Sequence, residues 1–188
     1  MAMLRWTSRD LDRLPKVDGT RYEVMDGELY VSTQPHWAHQ LVCSHIITLL
    51  NDWSRATESG IANLAPGLIF AEDDDVAPDV VWISRGRLST ALHPDGKLHA
   101  TPELVVEVLS PGPANERRDR EIKLNLYSRH GVLEYWIVDW RERSVEVYQR
   151  VDSALTLVQT LHGNDVIQSV NLPGFTCEVD QFFVDTKK

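Results

Sequence analysis

The sequence predicts an α/β or α+β fold, in which a mixed β-sheet is flanked by helices. Two apolar runs typical of buried strands, at 104–109 and 134–139, enclose a segment with helical spacing at 115–130. An N-terminal hairpin precedes this unit, and C-terminal antiparallel strands follow it. Strands and helices mixed around one sheet are typical of this fold class.

The N-terminal part contains three predicted elements. A short helix is expected at 8–14, ended by Pro15. The run RYEVMDGELYVS predicts a hairpin, because Asp26-Gly27 is typical of a type I′ turn. A longer helix is predicted within 35–53, where apolar residues recur at helical spacing.

The middle of the chain is more polar. Residues 61–71 hold two short apolar pieces separated by Pro66-Gly67. The segment EDDDVAPD follows, and its aspartates at 73–75 are interpreted as a solvated turn before the strand VVWI. Residues 84–101 are predicted to be a polar loop.

The last part of the chain favours strands. The central helix is expected to end before Gly131, a residue suited to the position after a helix. SVEVYQR alternates apolar and polar residues, which predicts a half-exposed strand at the antiparallel end of the sheet. Two further strands are expected at 154–162 and 166–172, and a short helix at 175–185.

Composition restricts the class of protein. A chain of 188 residues with 43% hydrophobic and 25% charged content is typical of one globular domain, here predicted as 1–188. No apolar run approaches the roughly 18 residues of a membrane span, and the N-terminus lacks a signal-peptide pattern. Cys43 and Cys177 fit no disulfide or metal framework, so a cytoplasmic location is predicted.

The charge distribution is uneven. The net charge of −9 argues against broad, non-specific nucleic-acid binding. Residues 115–130 carry five basic and three acidic side chains, a net charge of +2 against −11 for the rest of the chain. A local basic face is therefore compatible with the composition.

One carboxylate interrupts an apolar strand. Glu107 shares a strand face with Val105 and Leu109, and a buried carboxylate is costly unless it is paired. Asp119, Lys123 and Tyr127 recur every four residues on the following helix, which lets a long lysine side chain reach Glu107. Two simpler interpretations stay open: Glu107 can be satisfied by a backbone amide or an arginine, and Asp119 and Lys123 can form a surface ion pair.

The ordered set Asp79, Glu107 and Lys123 resembles the PD-(D/E)xK nuclease superfamily, and in particular its "putative restriction endonuclease" domain family. The resemblance covers roughly residues 20–150. In that superfamily the lysine follows the acid by two residues, where this chain has Leu109. The resemblance to the domain family implies that the lysine lies on the following helix instead, as Lys123. The matching segments, in order, are YEVMDGELYVS, His39-Gln40, APDVVWI, PELVVEVLSP, DREIKLNLY and GVLEYWIVD followed by VEVY.

The resemblance implies a restriction-endonuclease-like core with its site where the strands carrying Asp79 and Glu107 diverge. It implies Mg²⁺, with Mn²⁺ as a substitute, bound by both carboxylates and by the Val108 carbonyl. Lys123 is expected to act on the attacking water or the phosphate, with a pKa lowered by burial that favours a base role. The other implied residues are Glu23 at the metal or water and a substrate-binding group of His39, Gln40, Arg117, Arg118, Arg120 and Tyr127.

The implied activity is DNA hydrolysis by a homodimer whose two sites address two strands. One alternative is a catalytically inactive, nuclease-derived domain that binds nucleic acid or a protein partner. Another is a structural protein whose 115–130 segment faces a subunit interface. His39 also falls on the apolar face of its helix with Val42 and Ile46, so a core role for it stays open.

Overall fold

The structure is a computed structural model that describes residues 5–183. The strands are β1 (Arg21–Met25), β2 (Glu28–Ser32), β3 (Gly60–Leu64), β4 (Leu68–Ala71), β5 (Asp74–Val76), β6 (Val80–Ser84), β7 (Leu104–Val108), β8 (Glu134–Asp139), β9 (Ser144–Val151), β10 (Ala154–His162), β11 (Val166–Gln168) and β12 (Thr176–Glu178). The helices are α1 (Ser8–Leu11), α2 (Trp37–Thr57), α3 (Arg85–Ala91), α4 (Pro113–Arg117) and α5 (Leu124–Arg129). A π-helical segment (Arg118–Lys123) joins α4 to α5, and a 3₁₀ turn (Val179–Phe182) follows β12.

A six-stranded mixed sheet forms the centre of the fold, in the order β10-β9-β8-β7-β6-β3. Only β7 and β8 are parallel; the other neighbours are antiparallel. A parallel pair requires a crossover, which α4, the π-helical segment and α5 provide. The predicted mixed sheet with an antiparallel C-terminal end is confirmed.

Both faces of this sheet are covered. Val106 and Val108 belong to a core shared with α2, whereas Val105 and Leu109 belong to a second core that includes Leu126. β8 is buried along its whole length, as its apolar run predicted. The alternation of β7 therefore directs Glu107 toward the face that α5 covers.

The N-terminal hairpin belongs to a second sheet, in the order β2-β1-β5-β4. Asp26 and Gly27 both have positive φ, at 54° and 75°, as a type I′ turn requires. The interpretation of the acidic segment as a solvated turn is wrong for Asp74 and Asp75, each only 4% exposed. Asp74 binds the Arg129 guanidinium at 2.9 Å, because α5 ends beside β5.

Two further predictions need correction. The expected loop at 84–101 contains α3, which starts where the Ser84 hydroxyl accepts the Arg87 N–H at 3.4 Å. The expected C-terminal helix is instead β12 followed by the 3₁₀ turn, and its last residues, 184 and 185, lie outside the described part. Of the strand expected at 166–172, only β11 forms. No helix among residues 5–183 is long and apolar enough to cross a bilayer.

Candidate active site

The antiparallel pairing of β6 and β7 brings Asp79 and Glu107 to one end of the sheet. The ladder extends from Trp82 opposite Leu104 to Val80 opposite Val106 and then stops. Beyond it, Asp79 Oδ2 accepts the Val108 N–H at 2.9 Å. The strands therefore separate at the two acids, and a side chain replaces the next backbone hydrogen bond.

Glu107 and Lys123 form a buried ion pair between β7 and the covering helix. Lys123 Nζ lies 2.9 Å from Glu107 Oε1 and 3.1 Å from Glu23 Oε1. The Tyr127 hydroxyl donates to Glu107 Oε1 at 2.7 Å. Lys123 is 1% and Glu107 2% exposed, so this is not a surface ion pair.

The π-helical segment positions the helical side of the site. Asp119 does not pair with Lys123; its Oδ1 accepts the Arg118 Nε–H at 3.2 Å. The Tyr135 hydroxyl donates to the Asp119 backbone carbonyl at 3.0 Å. The widened turn thereby directs both Asp119 and Lys123 inward, and such π-helical turns are frequent at functional sites.

His39, on the first turn of α2, holds Asp79 from the opposite face of the sheet. Its Nε2 lies 3.0 Å from Asp79 Oδ2, and its Nδ1 lies 3.7 Å from Cys43 Sγ. Burial raises the pKa of the Cys43 thiol, and the neighbouring Asp79 charge adds to this. A proton on Nε2 lets His39 donate a hydrogen bond to the Asp79 carboxylate.

Burial and neighbouring charges shift the pKa values of the central groups. Burial raises the pKa of Glu107 to about 8; the Lys123 charge opposes this, and the Asp79, Asp119 and Glu23 charges reinforce it. For Asp79, burial raises the pKa, but the hydrogen bond and charge of His39 and the charge of Lys123 outweigh it and lower the pKa overall.

The pKa of Lys123 differs from our expectation. Burial alone lowers it, but the charges of Glu107, Glu23 and Asp119 outweigh burial and raise the pKa above its ordinary value. Lys123 therefore stays an ammonium at neutral pH. A base role that depends on a lowered pKa has no support from this geometry.

A polar cavity of about 230 Å³ opens onto these groups. Gln40, Arg117, Arg120 and Tyr127 do not line it: Arg117 pairs with Glu121, Arg120 with Glu146, and Tyr127 is buried beneath Glu107. The lining residues are Gly19, Thr20, Arg21, Glu23, Ser32, Thr33, Gln34, Pro35, His39, Asp79, Glu107, Ser110, Arg118 and Lys123.

The donor set fits a hard divalent cation. Asp79, Glu107 and Glu23 present carboxylate oxygens to one cavity, and Mg²⁺ prefers such hard oxygen ligands. His39, Cys43 and Asp79 also have potential ligand atoms within 4.8 Å of one another. That N, S and O set is typical of zinc, but the thiol is neutral and the imidazole already binds Asp79.

Three residues of the site were not predicted from the sequence to be site residues: Arg21, Asp119 and Ser110. Arg21 donates to the Ala77 carbonyl at 2.9 Å and lies 3.5 Å from Asp79 Oδ1. Its position two residues before Glu23, on the same strand face, was an available signal. Asp119 shares the four-residue stripe with Lys123, whereas nothing in the sequence pattern singles out Ser110.

Comparison with known proteins agrees with this architecture. Residues 8–180 match the model of the Uma2 family, described as "Putative restriction endonuclease". A solved structure of "a putative nuclease belonging to DUF820" from Anabaena variabilis superimposes with a TM-score of 0.75 at 16% identity, over 94% of this chain and 96% of that chain. No curated protein matches. The match over nearly the whole chain places this protein in the Uma2 family.

Proposed function

We propose that the protein is a Mg²⁺-dependent endonuclease that hydrolyses DNA phosphodiester bonds. The observation that carries this proposal is the buried Lys123–Glu107 pair in a cavity that Asp79 also lines. A buried ion pair adds little net stability, because taking both charges out of water costs about as much free energy as their attraction returns. Stability alone therefore does not explain this pair. Its placement beside further carboxylates in an accessible cavity supports phosphoryl chemistry instead.

The role proposed for each residue follows from its chemistry. Asp79 and Glu107 would hold the cation, with the Val108 carbonyl as a predicted third ligand and Mn²⁺ as an expected substitute. When bound, the cation supplies charge neutralisation and an activated water. Lys123, kept protonated, stabilises negative charge on the phosphoryl oxygens, and Glu23 orients the water.

A DNA-cleavage assay with Mg²⁺, on both plasmid and single-stranded DNA, tests the proposal. Asp79→Ala and Glu107→Ala are each expected to lower the rate by at least about a hundredfold, since each removes a metal ligand. Glu103→Gln is the matched control, because Glu103 is a buried acid that does not line the cavity. Activity that survives both alanine variants would contradict the site.

The inactive-domain alternative is favoured by the net acidity of the chain and by the position of the lysine, on a helix rather than two residues after Glu107. Calorimetry separates the two functions, because an inactive domain should show no divalent-ion binding that Asp79→Ala abolishes.

The homodimer and the cytoplasmic location stay predictions. Sedimentation of the full chain with and without DNA tests the first of them.

A further inference from the structure

We propose that the active site takes a single strand of DNA, with one base stacked on the imidazole of His36. This inference rests on the proposed nuclease function and names its substrate class. Three features of the described residues carry it: a second cavity continuous with the first, a preformed aromatic stack at its side, and buried carboxylates with few cations around them.

A groove continues from the active-site cavity. A second polar cavity of about 310 Å³ adjoins it. The two cavities share six lining residues, from the segment after β2 and from the start of the crossover: Ser32, Thr33, Gln34, Pro35, Ser110 and Arg118. A DNA strand whose phosphate reaches Glu107 can therefore extend into the second cavity, where it passes hydroxyl, amide and guanidinium donors.

The aromatic ring of His36 lines the second cavity. The His36 ring stacks on Trp140 with centroids 4.9 Å apart and planes 6° from parallel. Trp140 Nε1 donates to the Leu109 carbonyl at 3.1 Å, and His36 Nδ1 accepts the Ala38 N–H at 3.1 Å, so both rings are fixed. His36 is itself exposed. Proteins that bind single strands without reading sequence stack bases on aromatic side chains along a basic groove.

The burial of the acids favours a flexible strand over a duplex. Glu107 is 2% and Asp79 8% exposed, so the scissile phosphate must enter the cavity to approach them. A duplex is stiff over about 150 base pairs and holds its phosphates on a wide cylinder, whereas a single strand can bend into a narrow groove.

The charges lead to the same conclusion. Among the described residues, the arginines that line either cavity are Arg21 and Arg118, and each already contacts a carboxylate. Duplex-binding proteins commonly neutralise about 6–10 phosphates. Base stacking can supply the DNA-binding affinity that so few cations cannot provide.

Two substitutions separate stacking from helix capping. His36→Asn keeps a side chain that can cap α2 but removes the ring, whereas His36→Phe keeps the ring and removes the cap. We measure binding of labelled single-stranded and duplex oligonucleotides of one sequence by fluorescence anisotropy without divalent ions. The wild type should prefer the single strand by at least about tenfold. His36→Asn should weaken that binding about tenfold, and His36→Phe should retain it.

Cleavage of the same oligonucleotides with Mg²⁺ gives the second readout. Cutting of the single strand but not of the duplex supports the inference. Equal or faster cutting of the duplex overturns it and leaves the nuclease proposal intact. If nothing is cut but single-strand binding depends on the His36 ring, the binding inference holds and the nuclease proposal fails. Loss of binding in His36→Phe but not in His36→Asn would assign His36 to capping and overturn the inference.

Discussion

At the scale of single residues, Lys123 is the group on which the charges of the site depend. It contacts both Glu107 and Glu23, and all three side chains are buried. Removing one member of a buried ion pair leaves the other charge without compensation, which is more costly than removing both. The site therefore couples folding stability to the chemistry proposed for it.

Replacing Lys123 by methionine tests this coupling. At pH 9, where Glu107 is ionised, we expect Lys123→Met to lower the free energy of unfolding by about 3–5 kcal/mol, because two carboxylates lose their cation. Adding Glu107→Gln should recover part of that loss, and urea denaturation of both single variants and the double variant measures the coupling. Additive effects would contradict the direct interaction.

The raised pKa of Glu107 predicts how Mg²⁺ binding depends on pH. Because this pKa is about 8 rather than the ordinary 4.5, a proton occupies the metal-free carboxyl below pH 8. Mg²⁺ must displace that proton, so the apparent affinity should fall by up to about tenfold per pH unit below 8 and level off above it. The proton likewise stabilises the fold, and this contribution is lost as the pH rises through 8.

Isothermal titration calorimetry between pH 6.5 and 9 measures this dependence, and buffers of different ionisation enthalpy report the released proton. Glu107→Gln removes both the ligand and its proton, so in this variant Mg²⁺ binding should be weaker and no proton should be released from this position. An affinity independent of pH in the unsubstituted protein would show that Glu107 is ionised throughout or is not a ligand.

At the scale of elements, the π-helical segment decides where Asp119 and Lys123 point. Tyr135 holds it through the hydroxyl bond to the Asp119 carbonyl. Tyr135→Phe should lower the free energy of unfolding by about 1 kcal/mol, because it leaves a buried carbonyl without this donor. We expect the rate of DNA cleavage to fall further than this loss explains, since Lys123 shifts with the turn.

Tyr148→Phe is the matched control, because the Tyr148 hydroxyl donates to Glu146 away from the cavity. The thermal stability and the rate of DNA cleavage are compared for both variants. Equal effects on activity would indicate that neither hydroxyl positions the site.

The elements also show what the sequence can and cannot predict. β7 and β8 were predictable because strands buried on both faces have nearly continuous apolar runs. α3 was missed because Gly86 and the later proline and glycine dominate the pattern of 84–101, although Ser84 is a good cap. Asp74 and Asp75 were misjudged because their partners, Arg129 and Lys97, are distant in sequence.

The site was predictable only in outline. The four-residue stripe placed Lys123 toward Glu107, and the structure brings them together. The raised pKa of Lys123 was not predictable, because it depends on carboxylates from β1, β7 and the π-helical segment at once. Side-chain periodicity predicts the direction in which Lys123 points, but not how many charged groups surround its ammonium.

At the scale of the whole molecule, the net charge of −9 limits how DNA can bind. A local basic face was one interpretation of residues 115–130. In the structure, Arg117 and Arg120 are paired with Glu121 and Glu146 outside the cavity, and Arg118 alone of these arginines lines it. Phosphate contacts should therefore be few.

The salt dependence of binding tests this view of the molecule. Each phosphate contact with a single strand contributes about −0.7 to the slope of log affinity against log salt, so we expect a slope of only about −1 to −2. Arg118→Ala should reduce its magnitude by about 0.7, with folding checked by circular dichroism because Arg118 also binds Asp119. Arg117→Ala, on the exposed side of the same helix, should leave the slope unchanged. Equal losses in both variants would mean that the outer helix surface, rather than the groove, holds the DNA.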